Sequence, residues 1–450
     1  MKQVLRALSG MVLVLLLVVG AAYAISRLYW PTRAQQRALA QMTAPPPVPA
    51  GRNAFADVWL LRYDLAPAER ARIAAADAER FNRRDAPGLA GDGTIAGDAP
   101  GFASLAAAHH SQEQLRDPDR VLCHPGNDDC LAKVRAALAK IDALLAAHAG
   151  LLQRSRDALE RSDYLRTLFR LTYDTPYPIA NLGDGMRLMR TATARAYVRG
   201  QHQSALAASC RAAAGWRRWM RHPDLLVDLM VGDAALRDWL ALQGQMLAAL
   251  PAATPLPADC ALLREPPPAA GSLCRVMQRE FEFTRSLFDP AGDGSVVQPG
   301  GSGGWTALVY RPEATLAMIA EARAWHCSET VRRQLLADTP VRPRPSPSPW
   351  RLECLANGLG CQLAGMEYPG MIDYQHRLQD QRARLNLMAT LLWLRDQPRG
   401  DRPLAARVQA RPAALKRGRD IEVVEGRLRI ALFERGERAY WELPVPAELR

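Results

Sequence analysis

The residues of this chain best equipped for chemistry are its eight cysteines: Cys123, Cys130, Cys210, Cys260, Cys274, Cys327, Cys354 and Cys361. Cys123/Cys130 and Cys354/Cys361 each enclose six residues of a short Gly- or Pro-containing loop, a spacing that a disulfide closes readily. Cys260/Cys274 is the next closest pair in sequence, which leaves Cys210 and Cys327 to join distant helices. Only proximity orders this assignment, since eight thiols allow many connectivities. An even number of cysteines in a chain that opens on an export-type segment points to an oxidising compartment. The competing reading, small buried hydrophobes in a reducing cytosol, is set aside for that reason.

Other reactive constellations are weak. Cys123-His124 and His326-Cys327 each place two soft ligands side by side, yet their separation matches no common zinc framework. Thiolate ligation would also require the cysteines to stay reduced. There is no His-Glu-x-x-His, and none of the lysines closes a phosphate-cradling Gly-x-x-x-x-Gly-Lys loop. Gly300-Gly301-Ser302-Gly303-Gly304 matches a nucleophile elbow in letters only, because no strand precedes it and no helix follows. Asp289, Asp293 and Gly294 lack the remaining carboxylates of a calcium loop. Glu280 and Glu282 stand two apart, a spacing that a helix does not set side by side. His109-His110 reads as a solvent-facing pair. We therefore expect no catalytic residue set, no cofactor and no metal.

One cluster suits recognition. Trp216, Arg217, Arg218, Trp219 and Arg221 interleave indoles with guanidinium groups, a combination that grips glycans, lipid headgroups or an acidic protein face. The alternative, which we prefer, is a helix end whose tryptophans pack inward while its arginines sit near the negative end of the helix dipole.

These residues are carried by a chain that begins at a membrane. Lys2 and Arg6 precede the uncharged run 7–25, whose nineteen residues give about 28 Å of helix, enough to cross a hydrocarbon layer. Leu28, Tyr29 and Trp30 follow, of the kind that settles at the boundary with water. A cleavable signal fits too, through the small-x-small triplet Ala22-Tyr23-Ala24. We prefer a retained anchor over cleavage to a free periplasmic protein. Arg27, Arg33 and Arg37 blur the orientation that Lys2 and Arg6 would set, so the cysteines decide that the bulk is exported.

The chain of 450 residues carries a net charge of +12, but only four of its 58 basic residues are lysine. Such an arginine bias, together with abundant alanine, is what a GC-rich bacterial genome imposes on any protein. The arginines are interleaved with Asp and Glu rather than gathered, so solvated helix faces explain them and a nucleic-acid partner is not expected.

Periodicity predicts a mainly α protein. Residues 1–30 form the anchor or signal, and 31–52 a helical stem with a stiff polyproline spacer at 44–50. Residues 53–418 are a helical exported domain and 419–450 a β element. Helices are expected at 68–81, 129–161, 186–199, 204–220, 224–250, 272–288, 312–337 and 374–394. The 129–161 stretch carries Leu131, Val134, Leu138, Ile141, Leu145, His148 and Leu152 on one face, and His148 reads as a seam residue, not a ligand. Gly- or Pro-rich joints fall at 88–101, 251–268, 289–304 and 339–350. Leu428, Ile430 and Leu432, then Ala439, Trp441 and Leu443, alternate with a period of two around Arg435-Gly436, predicting an antiparallel hairpin with 421–424 as a third strand. A helix must cover its apolar side, and 374–394 is the natural candidate.

Ala194, Tyr197, Gly200, Ala205 and Ala212 resemble the small–aromatic–Gly–small–small order of a tetratricopeptide repeat. The turn is one residue short, and no second copy follows at that repeat's period of roughly 34 residues, so an antiparallel helix pair is the simpler expectation. The expected function is non-enzymatic: an inner-membrane envelope protein presenting a helical surface to an envelope partner in the periplasm. The alternative is an exported hydrolase of an envelope polymer with scattered carboxylates.

Overall fold

The computed structural model describes residues 2–83, 102–124, 129–172, 174–288, 306–343, 351–366, 371–397, 401–434 and 439–450. The 88–101 and 289–304 stretches, the Gly300–Gly304 motif, the Asp289/Asp293/Gly294 group and the Arg435-Gly436 turn lie outside the described residues, as do 344–350 of the last Pro-rich joint. The chain is mostly helical, with a small C-terminal three-stranded antiparallel sheet and one N-terminal apolar helix.

That first helix, α1 (Lys2–Tyr29), is long and apolar enough to cross a membrane, and its apolar window is not buried against the rest of the protein. Helix α2 (Arg33–Thr43) starts on a reciprocal cap: the Gln35 amide donates to Thr32 Oγ1 (3.3 Å) and the Thr32 amide to Gln35 Oε1 (2.9 Å). These contacts satisfy amides that a helix start otherwise leaves without partners. This helix falls where a helical stem is expected. Ala38 and Met42 bury α2 in a hydrophobic core with Leu273, Phe281 and Met318, so the stem is part of the body. An apolar stripe of Ala38 and Met42 at helical spacing has more to gain from a core than from water.

Beyond the proline run come α3 (Phe55–Trp59) and α4 (Pro67–Arg83), which enclose Phe55, Phe81 and Phe169. The helix expected over 129–161 is three helices: α5 (Cys130–Ala136), α6 (Leu138–Ala147) and α7 (Ala149–Arg161). Ala137 and His148 leave helical geometry with φ of −125° and −114°. An unbroken helix of that length would run about 50 Å, while α8 (Leu182–Val198), against which all three segments pack, is about 25 Å long. The breaks fold the stripe onto its partner. At the second one, His148 Nδ1 meets Glu113 at 3.0 Å, which accounts for the seam histidine.

Helix α9 (His202–Trp219) reverses on α8 through Gly200, whose φ of +80° suits a residue without Cβ. Then α10 (Leu226–Ala248) and α11 (Ala261–Arg264) complete the larger core. The smaller core is built from α12 (Cys274–Phe288), α14 (Pro312–Ala324) and α16 (Gly358–Met366), with the short α13 (Thr306–Val309) and α15 (Glu329–Ala337) alongside. The helix expected at 312–337 thus breaks at the 3-10 turn Trp325–Cys327.

Helix α17 (Met371–Asp396) threads both cores, with Leu378 in the smaller and Leu385 to Leu394 in the larger. Its interior polar groups serve the joints around it. Gln375 Nε2 donates to Gly271 O (2.9 Å), Gln379 Nε2 to Thr339 O (2.8 Å) and Asn386 Nδ2 to Leu415 O (3.1 Å). Buried carbonyls of irregular segments need such donors. After α18 (Leu404–Gln409) the sheet follows: β1 (Ile421–Val424), β2 (Arg427–Ala431) and β3 (Tyr440–Pro444), in the order β1-β2-β3. The β1–β2 turn is two residues, Glu425 and Gly426, both at positive φ, the form that matches strand twist. Leu428 and Ile430 of β2 enter the larger core beside α17, as the hairpin's apolar side requires.

All eight cysteines form disulfides. Cys123–Cys130 and Cys354–Cys361 are the two short loops, but the other pairs are Cys210–Cys260 and Cys274–Cys327. The expected Cys260/Cys274 and Cys210/Cys327 pairings are therefore incorrect. Pro266, Pro267 and Pro268 lie between Cys260 and Cys274 and favour extended backbone that holds them apart. Cys260 belongs to the larger core, while Leu273, next to Cys274, belongs to the smaller. Each bridge closes within one core. Four disulfides fit an oxidising compartment.

Candidate binding cleft

The tryptophan–arginine cluster is not a surface. Trp216 and Trp219 are 1% and 3% exposed, in edge-to-face contact at 5.4 Å within the larger core. Arg218 donates to the carbonyls of Leu159 (3.0 Å), Glu160 (2.8 Å) and Ser162 (3.3 Å), which close the end of α7. Arg217 donates to Leu262 O. Arg221 alone of the five is exposed. Indole burial outweighs display here, and the guanidinium groups satisfy carbonyls that a helix end leaves unpaired.

The metal candidates dissolve in the same way. The sulfurs of Cys123 and Cys327 are held in disulfides, and His326 is buried, its pKa pushed down to about 4 by burial and by Arg323. Among the described residues one grouping has ligand geometry, Glu353 with Cys354 and Cys361, but those two sulfurs are bonded to each other. Glu280 accepts the Leu226 amide (2.8 Å) while Glu282 pairs with Arg279, so the two carboxylates have separate duties. His110 lies 4.0 Å from Glu69, and His109 is exposed.

What the fold does assemble is a cleft of about 940 Å³ between α10, the Cys123–Cys130 loop and β3. Arg237, Asp238, Leu242 and Gln245 of α10 line it, with His124 and Asp129 of the disulfide loop on one wall. Tyr440, Trp441 and Glu442 of β3 form the other wall, and Arg384 and Glu434 lie at one end. This volume is at the upper end for small-ligand sites, which run to roughly 1,000 Å³. Strand β3 can sit so close to α10 because of Gly244: a Cβ there would lie 2.7 Å from Leu443 Cδ2. Just after β2, Phe433 and Glu434 are held by buried Asp380, which accepts both their amides at 2.8 Å and Arg419 Nη1 at 2.5 Å.

Every carboxylate in the cleft has a structural duty. Asp238 accepts Arg190 Nη1 (2.7 Å), whose Nη2 holds Cys123 O (2.8 Å) and so fixes the disulfide loop to α8. Glu442 pairs with Arg427 across the strands (2.8 Å) and Glu434 with Arg377 (2.8 Å), while Asp129 caps α5 through the Ala132 amide (3.0 Å). All four carboxylates that line the cleft are thus held by an arginine or by a helix start. Tyr440, Trp441 and Arg237 line it as well, with Arg429 over the Tyr440 ring at 4.3 Å and Arg237 3.4 Å from Asp238.

Sequence reasoning missed this site because its residues span more than three hundred positions and share no spacing. The one legible hint was the two-residue alternation that placed Trp441 on a strand near the end of the chain. The chain matches no protein family, no curated protein and no solved structure.

Proposed function

We propose that this is a single-pass inner-membrane protein of a bacterial envelope whose periplasmic body binds a segment of another envelope component in the α10–β3 cleft, without catalysing a reaction. The engagement of all four cleft carboxylates by arginines or a helix cap is the observation that carries this reading. It supports recognition over an exported hydrolase. Strand β3 is an edge of its sheet, a position from which extended peptide segments are commonly gripped. Tyr440, Trp441 and Arg237 supply the aromatic and cationic groups typical of binding hot spots. The membrane position is supported by α1 and the compartment by four disulfides.

The test places a photoreactive phenylalanine at Tyr440 in the full-length protein in cells. A discrete crosslinked envelope protein that disappears with Arg237→Glu is expected. Release of fragments from cell-wall polymer by the purified full-length protein, with no crosslink, would replace this reading with the hydrolase.

A further inference from the structure

The base of α1 is gripped by the body, and the residues that grip it carry exposed leucines. Tyr23 Oη donates to Leu308 O (2.8 Å). Ser26, 1% exposed, donates to Glu353 O (3.2 Å) and accepts the Ala356 amide (3.0 Å). Arg311 Nη1 then holds Trp30 O (2.7 Å). The contacts come from α13 and from the 3-10 turn Leu352–Cys354 with the residues just after it. On those same segments Leu308, Leu352 and Leu355 are 54%, 41% and 42% exposed, and on α1 itself Leu28 is 85% exposed.

Depth follows from helical rise. If the uncharged run 7–25 fills the hydrocarbon, Tyr23 lies about 3 Å inside its outer end and Ser26 about 1.5 Å beyond it. Side chains fixed beside Tyr23 and Ser26 are thereby fixed at the lipid–water boundary. The platform is rigid. The Cys354–Cys361 disulfide closes it, and buried Asn357 accepts the Arg311 amide (2.8 Å) and the Thr315 hydroxyl (3.2 Å). Helix α2, docked in the smaller core, leaves no slack between anchor and body. Arg311 is held on Trp30 O and Arg351 on Glu353, so these guanidinium groups fasten the platform itself. Elsewhere exposed apolar side chains such as Leu262, Leu336 and Met230 lie on separate elements, as on any soluble surface.

We propose that Leu308, Leu352 and Leu355 form a membrane-docking face that enters the outer boundary of the bilayer crossed by α1, so that the body stands on the membrane in one orientation instead of swinging on a tether. The proposal rests on α1 being a retained membrane span. Its chemistry is that of an interfacial apolar patch, with lipid as the occupant.

The test uses the full chain in vesicles of phosphatidylethanolamine and phosphatidylglycerol. With the eight native sulfurs paired, one added cysteine carries a spin label: Leu16→Cys in α1, Leu308→Cys, Leu355→Cys, or Leu262→Cys as a control on the far core. Labels at 16, 308 and 355 are expected to be relaxed by oxygen and shielded from a water-soluble nickel chelate, and the label at 262 the reverse. A lipid-exposed 16 with nickel-accessible 308 and 355 would sink the docking face and leave the anchor intact. Shielding of 308 and 355 from both reagents would mean protein covers them, which also overturns it. Nickel access at 16 would remove the anchor and the docking face together. A photoactivatable phospholipid provides the same reading on the unsubstituted chain: peptides spanning 306–309 and 351–357 crosslink, and their absence from the crosslinked set counts against the face.

Discussion

Arg384 of α17 donates through Nη1 to both carboxylate oxygens of Asp233 on α10, at 3.1 and 3.3 Å, with both side chains buried. Eleven residues on, Arg395 donates to Leu247 O (3.0 Å), so the two helices run side by side in the same direction. Burial pushes the Asp233 carboxyl up although Arg384 and Arg237 pull it down. Removing one partner strands a charge in the interior. Arg384→Met is expected to cost about 3–5 kcal/mol, whereas Asp233→Leu with Arg384→Met recovers most of that loss. Urea denaturation of the wild type and the two variants measures the difference; equal losses in the single and double variants would contradict the pairing.

Asp228 gives the fold a pH dependence. Burial, then the Asp224 and Glu280 carboxylates, push its pKa up to about 8, against the opposing Leu225 amide. The folded state therefore holds a proton that the unfolded state, titrating at 3.8, releases earlier. Stability falls as pH rises between those values, with a slope below the ~1.4 kcal/mol per pH unit of one fully coupled proton. Asp228→Asn keeps an acceptor for the Leu225 amide and removes the titration. Its gain in melting temperature over wild type should grow from pH 5 to pH 8. A gain that is flat across this range would count against the assignment.

The disulfide exchange relative to sequence proximity is directly checkable. Non-reducing peptide mapping should recover Cys210 linked to Cys260 and Cys274 linked to Cys327. Cys210→Ser with Cys260→Ser, which opens a fifty-residue separation, is expected to lower stability by about 2–4 kcal/mol. Recovery of a Cys260–Cys274 peptide would overturn the two-core account.

Gly244 sets the distance between α10 and β3. In Gly244→Ala the new methyl meets Leu443, and the resulting overpacking is expected to cost about 1–3 kcal/mol. Faster amide exchange across 440–444 should accompany it, and Leu443→Ala added to Gly244→Ala should relieve the clash. Unchanged exchange in β3 would show that the strand does not rest on this glycine.

Local patterns made much of the architecture legible. The nineteen-residue uncharged run, the stripes of 272–288 and 374–394 and the two-residue alternation near the end identify elements because each depends on neighbours a few positions away. Reading 129–161 as one helix failed where a distant partner intervened: the length of α8, not the stripe, decided the breaks at Ala137 and His148. The inward packing expected of Trp216 and Trp219 holds, while the neighbours they meet, α7 and α11, are set by the tertiary structure.

Composition and periodicity alone therefore determined that this chain is a mainly helical protein with an apolar N-terminal helix, an even set of cysteines and a small β end. Tertiary structure decided which sulfurs meet, that the stem helix belongs to the body, and that Arg237, Tyr440 and Trp441 share a cleft. The reason is physical. Secondary structure follows from hydrogen bonds and side-chain spacing within a few residues, while pairing, burial and sites follow from which apolar faces meet once two cores close around α10 and α17.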